Sequence, residues 1–153
     1  MTVPKQEKRF EYKGFPCVVL FMPIGYRCGY VGLPIGTVID TDEIDCHGGI
    51  TYSKNHLYHQ EDKDRFWIGF DCGHCYDGYD VETAKKLYAD DKNVMKQIKR
   101  MSATGYFTIC NEENSIRTLE YCEEQCKSIA EQLIERGLNL PDYMAEETEK
   151  YLR

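Results

Sequence analysis

Two short apolar segments constrain the fold of this chain more than any other feature. Residues 16–23, PCVVLFMP, form a continuous apolar run between two prolines, and residues 65–71, RFWIGFD, form a second run. Apolar runs of this length that do not alternate with polar residues are typical of strands buried on both faces. The chain is therefore expected to contain a sheet with covered central strands.

A long amphipathic helix is predicted to cover that sheet. Asn114 or Ser115 is a suitable cap for a helix over residues 115–137, and Gly137 is a suitable end. Helical spacing relates the apolar positions Ile116, Leu119, Cys122, Cys126, Ile129 and Leu133. One apolar stripe of this kind indicates a helix that packs on the sheet by a single face.

The remaining patterns predict an α+β fold. Residues 81–103 contain helix formers with a break near Asp90-Asp91, which indicates a helical insertion over 78–104. Two further strands are predicted, at 44–53 and at 105–110. We therefore expect a curved, mostly antiparallel sheet packed by a long C-terminal helix.

Length and charge set the class of protein. A chain of 153 residues is typical of a single domain, here with a strand-rich part at 1–77, the insertion at 78–104, and a strand plus C-terminal helices at 105–153. The net charge of −7 repels phosphate backbones, so general nucleic-acid binding is disfavoured. Neither an apolar signal-peptide core nor a run of membrane-spanning length is visible, which predicts a cytoplasmic protein without a membrane partner. A chain this small is also compatible with a homo-oligomer that shares a pocket.

Two motifs carry the candidate metal ligands. Residues 45–52 and 70–77 each place a histidine near a strand end, beside glycines that allow a ligand to approach the backbone. The side chains of His47, Asp71, His74 and Asp77 are suitable ligands for zinc or another divalent metal. The alternative is a polar turn in which the aspartates bind backbone groups and the histidines are structural.

Cysteine chemistry and ligand binding are the other interpretations of these motifs. Cys72 or Cys75 would act as a nucleophile if a histidine lay beside it, whereas a buried cysteine is a small core residue. A cradle for a small polar, nucleotide-like ligand would combine a cation, aromatic stacking and backbone N–H groups. Its candidate residues are Arg27, Tyr30, His47, Gly48, Gly49, Thr51, Asp71, His74 and Asp77. Alternatively, Arg27 pairs with an acid on the next strand and the tyrosines pack the sheet.

Three motifs in fixed order resemble a known family. RCGYVG at 27–32, HGGITY at 47–52 and WIGFDCGHCYD at 67–77 are similar to motifs of an uncharacterised family of small bacteriophage and prophage proteins. The resemblance implies a phage or prophage origin and a place in the host cell cytoplasm. Small accessory phage proteins often counter host defence, by capturing or degrading a nucleotide signal or by binding a defence protein.

Three functions follow as hypotheses. The first is a phage-type accessory protein that binds a small polar, nucleotide-like ligand to counter host defence. The second is a metal-assisted hydrolase that uses His47, Asp71, His74 and Asp77. The third is an inhibitor of a host defence protein, such as an anti-CRISPR protein, that binds through its acidic surface, including residues 138–153 and the helix carrying Glu123 and Glu124.

Overall fold

The computed structural model describes residues 3–57 and 65–137. Its strands are β1 (Lys5–Tyr12), β2 (Phe15–Phe21), β3 (Arg27–Pro34), β4 (Tyr52–Lys54) and β5 (Arg65–Asp71). Its α-helices are α1 (Val81–Leu87), α2 (Lys92–Ala103), α3 (Tyr106–Cys110) and α4 (Leu119–Glu135), and a 3-10 turn covers Thr41–Glu43.

The strands form one antiparallel sheet in the order β1-β2-β3-β5-β4. Strands β2, β3 and β5 therefore occupy interior positions, as their apolar sequences predict. The ends of β3 and β5 lie side by side, with Cys28 opposite Asp71. The predicted α+β class, with an antiparallel sheet and a long C-terminal helix packed on it, is confirmed.

Both faces of the central strands are buried, because side chains along a strand point alternately to opposite faces. On the face covered by α4, Val19, Val31 and Phe70 pack with Ile129. On the opposite face, Val18, Tyr30 and Trp67 form a second apolar cluster. The continuous apolar run in β2 supplies side chains to both clusters, which explains why it shows no alternation.

A close approach of α4 to the sheet depends on Gly29 in β3. A Cβ atom at Gly29 would lie 3.0 Å from the sulfur of Cys126 on α4 and 2.5 Å from Cζ of Phe70 on β5. Both distances are shorter than ordinary van der Waals contact. The missing Cβ atom of Gly29 and the small side chain of Cys126 thus set the spacing between α4 and the sheet. This spacing fixes the position of the side chains at the start of α4.

The helical insertion is confirmed, and it is longer than predicted. Helices α1 and α2 are separated near Asp90-Asp91, as expected, and residues 105–110, predicted as a strand, form α3 instead. Gly105, in the left-handed region at φ 74°, reverses the chain after α2, and Phe107 then packs with Phe21 and the helices. Burial of Phe107 against α1 and α2 therefore outweighs the local strand propensity. In the described part of the chain, no helix is both long enough and apolar enough to cross a membrane.

Two other boundaries differ from the sequence prediction. Helix α4 begins at Leu119 with Thr118 as its cap, and Ile116 lies outside the helix beside Gly78. The strand predicted at 44–53 is reduced to β4, because Gly48 and Gly49 both adopt positive φ angles, 68° and 79°. Such angles end an extended strand and turn the chain. The loop at 44–50 and the extended segment at 115–118 both border the candidate site.

We expect the substitution Gly29→Ala to destabilise the protein by about 1–3 kcal/mol, because an added methyl group overpacks the contact between β3 and α4. Urea unfolding followed by circular dichroism measures this change. Ser53→Ala on the exposed side of β4 is the control, with an expected change within about 0.5 kcal/mol. Equal stability of Gly29→Ala and wild type would show that the spacing of α4 does not depend on Gly29.

Candidate functional site

Two histidines from different loops meet on one carboxylate at the end of β5. Nε2 of His47 lies 2.9 and 3.0 Å from the two carboxylate oxygens of Asp77. Nδ1 of His74 lies 2.8 Å from Oδ2 of the same carboxylate. The side chains of His47 and Asp77 are buried, whereas His74 keeps 25 % of its side-chain surface exposed. The two motifs that the sequence singles out therefore converge in space.

The Asp77 carboxylate accepts further hydrogen bonds besides those of the histidines. Nε of Arg117 donates to Oδ1 at 2.9 Å, and the backbone N–H of His74 donates to Oδ2 at 3.2 Å. Burial by itself would raise the pKa of Asp77, but the hydrogen bonds from His47, Arg117 and His74 outweigh it and hold the pKa below its usual range. Asp77 is therefore ionised at neutral pH.

Helix α4 fixes the position of His47. The backbone N–H of His47 donates to the side-chain oxygen of Gln125 at 2.8 Å, and Nδ1 of its ring lies 2.8 Å from the hydroxyl of Tyr121. One helical turn separates Tyr121 from Gln125, so both point from the same flank of α4. Further along, Gln132 binds both backbone groups of Asp45, at 2.8 and 2.6 Å. The loop that carries His47 is thus fastened to α4 at several points.

A tight turn fixes the position of His74. The backbone N–H of Asp77 donates to the carbonyl of His74 at 2.9 Å, which closes the turn. The His74 ring packs against the backbone of Gly48, where a Cβ atom would lie 2.7 Å from Nε2 of the ring. On its other side the ring stacks on Tyr76, with centroids 5.0 Å apart and planes inclined by 6°. Gly48 is therefore required at this position both by its φ angle and by the ring.

Asp71 and Thr51 border the cluster on its exposed side. Asp71 accepts hydrogen bonds from the Thr51 hydroxyl at 2.9 Å and from the Gly73 N–H at 3.0 Å. Its Oδ1 lies 3.7 Å from Nε2 of His74, on the side of the ring that faces away from Asp77. Asp71, predicted as a metal ligand, is therefore placed as an outer partner of His74.

Three ligand atoms of the cluster are close enough to share one metal ion. Nitrogens of His47 and His74 and an oxygen of Asp77 all lie within 4.8 Å of one another. Bonds of about 2.0 Å at tetrahedral angles separate neighbouring zinc ligands by about 3.3 Å. The shortest separations here, 2.8 and 3.0 Å, approach that value. Small side-chain shifts would therefore convert the hydrogen-bonded cluster into a metal site.

The structure gives Arg27 and Tyr30 other partners than the predicted ligand cradle. The buried guanidinium of Arg27 donates to Glu7 at 2.7 and 3.1 Å and to Asp80 at 2.9 Å. It also donates to the backbone carbonyl of Arg117 at 3.0 Å. Tyr30 is buried in the core edge-on to Tyr52, with ring centroids 5.1 Å apart. The alternative interpretation, in which Arg27 pairs with an acid and the tyrosine packs the sheet, fits these contacts. The acids do not lie on the next strand, however, because Glu7 is on β1, which is not adjacent to β3, and Asp80 precedes α1.

Neither candidate thiol shares a hydrogen bond with the histidines in the described part of the chain. Cys72 is buried, and its sulfur lies 3.8 Å from that of Cys122 on α4. The hydrogen bond to Cys122 raises the pKa of the Cys72 thiol, and burial raises it further. Cys72 is therefore a protonated core residue, whereas Cys75 is exposed at the surface.

The sequence prediction missed three residues of the site: Arg117, Tyr121 and Gln125. Arg117 holds Asp77, while Tyr121 and Gln125 hold His47. Their sequence signal is weak, since two polar residues one turn apart beside an apolar stripe are common on surface helices. Only the packing of α4 against the 44–50 loop gives them a role.

Comparisons of the chain with protein-family models, with curated proteins and with solved structures find no match. The resemblance to bacteriophage and prophage proteins therefore stays a prediction.

We expect acid to weaken the ion pair between Arg27 and Asp80. Burial alone would raise the pKa of Asp80, but hydrogen bonds from Thr83 and Arg27 outweigh it, so the folded-state pKa lies below its usual range. Asp80 therefore stabilises the fold fully above about pH 4, the pKa range of an unfolded aspartate, and this contribution is lost as the pH falls through the folded-state pKa. The substitution Asp80→Asn should lower stability at pH 7 and have progressively less effect toward pH 3.

Urea unfolding of both proteins between pH 7 and pH 3 measures this difference. Asparagine is also a good helix cap, so the substitution retains the cap that Asp80 provides at the start of α1. A stability difference that stays constant over the whole pH range would contradict the assignment.

Proposed function

We propose that the protein binds a divalent transition-metal ion, with zinc as the first choice, and uses it to hydrolyse a small polar substrate. The observation that supports the proposal is the convergence of His47, His74 and Asp77 on ligand atoms within 4.8 Å of one another. Two histidines and one carboxylate form a ligand set of catalytic zinc sites, which keep the fourth coordination position open. The mixed nitrogen and oxygen donors suit zinc better than magnesium or calcium.

The surroundings of each ligand also support the proposal. A metal-bound histidine normally donates its other ring N–H to an oxygen, which fixes the ring. Nδ1 of His47 has the Tyr121 hydroxyl at the hydrogen-bonding distance of 2.8 Å. Nε2 of His74 has the Asp71 carboxylate at 3.7 Å, which is an ion-pair distance and not a hydrogen bond. Arg117 holds the second oxygen of Asp77. Each ligand therefore has an outer partner on the side that faces away from the proposed metal.

Zinc held by His47, His74 and Asp77 would supply a bound water with a pKa near 7, which would serve as the nucleophile toward an acyl carbon or phosphorus at neutral pH. In the overall hydrolysis, one water would add across the bond to the leaving oxygen, and the proton that the water loses would match the one that the leaving oxygen takes up. The residues of this chain would hold the metal. Tyr121 orients the His47 ring, Asp71 lies beside the His74 ring, and Arg117 holds Asp77 and adds a positive charge at the cluster.

The other hypotheses stay open as predictions. A phage accessory protein that hydrolyses a small signal molecule would agree with both the resemblance and the proposed site, because the bound ligand would also be the substrate. For the protein-inhibitor hypothesis, residues 138–153 lie outside the described residues, while Glu123 pairs with Lys8 and Glu124 with Lys127. No contact of the cluster depends on those acids, so the metal hypothesis can be tested separately.

We expect one zinc ion per chain in wild type, and its loss in His47→Ala and His74→Ala, since each substitution removes a ligand. The decrease in affinity should exceed the about 10–100-fold that is typical of losing an outer partner. Isothermal titration with ZnCl₂ measures the affinity, and native mass spectrometry of tag-free protein gives the stoichiometry. His56→Ala is the matched control, because His56 is exposed and lies outside the cluster.

Hydrolysis is tested on the same proteins with a panel of nitrophenyl esters and phosphates. Activity should appear in the zinc-loaded protein, disappear with EDTA and return on adding zinc. Wild type that binds zinc no more tightly than the His47→Ala, His74→Ala double variant would refute the metal site. Tight binding without any metal-dependent turnover would refute the hydrolase while leaving the metal site in place.

We also expect Asp71→Asn and Tyr121→Phe each to reduce zinc affinity about 10–100-fold without removing binding. Asp71→Asn removes the negative charge beside Nε2 of His74, and Tyr121→Phe removes the hydroxyl beside Nδ1 of His47, while each keeps the size of the side chain. The same calorimetric titration measures the effect. Affinities equal to that of wild type in both variants would show that these contacts do not support the ligands.

A further inference from the structure

Arg117 has hydrogen-bonding capacity that the described residues do not use. Its Nε donates to Oδ1 of Asp77 at 2.9 Å, and no other donation from its side chain is made within residues 3–57 and 65–137. The two terminal nitrogens carry most of the donors of the guanidinium. The Arg117 side chain keeps 26 % of its surface exposed at the edge of the cluster.

The guanidinium is held in place, which distinguishes it from a freely moving surface arginine. It lies over the ring of Tyr121, 5.3 Å from the ring centroid, and the carbonyl of Arg117 accepts a hydrogen bond from the buried Arg27 at 3.0 Å. Asp77 therefore lies between the nitrogens of His47 and His74, which would hold the proposed metal, and Arg117, whose Nε donates to Oδ1. A ligand that binds both positions is oriented without ordering a flexible side chain.

We propose that the site takes a phosphate-bearing anion, with one phosphoryl oxygen at the open metal position and the others on the terminal nitrogens of Arg117. This inference rests on the proposed metal site and names its substrate class as phosphate esters. The net charge of −7 repels phosphate over most of the surface, so binding requires a local excess of positive charge. A divalent ion together with Arg117 outweighs the charges of Asp77 and Asp71 and supplies that excess.

Phosphate fits the two positions better than a carboxylate does. A terminal phosphoryl group presents three oxygens, so one can bind the metal while two accept the paired N–H groups of a guanidinium. A carboxylate presents two oxygens and satisfies only part of that set. Arginine is also the side chain whose planar fork matches phosphate oxygens in a bidentate manner.

The test uses cobalt(II) as a spectroscopic substitute for zinc and inorganic phosphate as the probe. Phosphate is titrated into the cobalt-loaded protein at constant ionic strength, and its affinity is read from the change in the visible spectrum. We expect Arg117→Gln to weaken phosphate binding by about 10-fold or more, because charge-assisted hydrogen bonds are lost. Glutamine can still donate to Asp77, and cobalt affinity is measured in the same samples. Arg117→Lys should restore part of the phosphate affinity.

Arg136→Gln is the matched control, since Arg136 pairs with Glu43 at the other end of α4. Phosphate affinity that is equal in Arg117→Gln and wild type would overturn the inference, as would acetate binding as tightly as phosphate. If cobalt does not bind, the proposed metal site is refuted. Phosphate binding at Arg117 is then tested alone, by the phosphorus NMR line width of phosphate mixed with the metal-free protein. A line that is broadened by wild type but not by Arg117→Gln would support the anion site. A line that wild type does not broaden would overturn the anion site.

Discussion

The hydrogen bonds to the buried carboxylate of Asp77 hold together the segments around the end of β5. A buried charge is tolerated only when donors replace its lost water, and the donors here come from three separate segments. They are His47 in the loop before β4, His74 in the turn after β5, and Arg117 before α4. One carboxylate thereby fixes three segments, of which the second and third are also joined by a β-bridge between Gly78 and Ile116. Any change at Asp77 would affect all three together.

Arg27 is the centre of a second ionic cluster that supports the first. Its guanidinium joins Glu7 on β1 to Asp80 at the start of α1, and it binds the carbonyl of Arg117. Arg117 is therefore held through its backbone by one cluster and through its side chain by the other. This connection ties the helical insertion to the end of the sheet, because Asp80 also caps α1. The buried side chain of Arg27 thus holds the backbone of Arg117, which carries the proposed anion position.

Apolar packing and polar contacts have separate roles along α4. The buried side of the helix carries Cys122, Cys126 and Ile129 and packs closely on the sheet. The close approach is possible because the small side chain of Cys126 faces Gly29, which has no Cβ atom. The flank of the same helix presents Tyr121 and Gln125 to the loop that carries His47. Close packing of the apolar side fixes the distance of Tyr121 and Gln125 from the sheet. The precision of the candidate site therefore depends on a core that contains none of its functional groups.

Elements with a local signal could be predicted from the sequence. The continuous apolar runs at 16–23 and 65–71 predicted buried strands. Because burial imposes a fixed period on neighbouring residues, the stripe from Ile116 to Leu133 predicted the helix, although its start was placed too early. The histidine motifs at 47 and 74 were also visible, since histidine and aspartate beside glycines are unusual at strand ends. Three features became visible only in the folded chain. Tyr106–Cys110 form a helix whose Phe107 joins the cluster of Phe21, Arg27 binds Glu7 and Asp80, and Arg117 and Tyr121 complete the site. The partners in these contacts are far apart along the chain, and no local period records which distant residue will satisfy a charge or cover a ring.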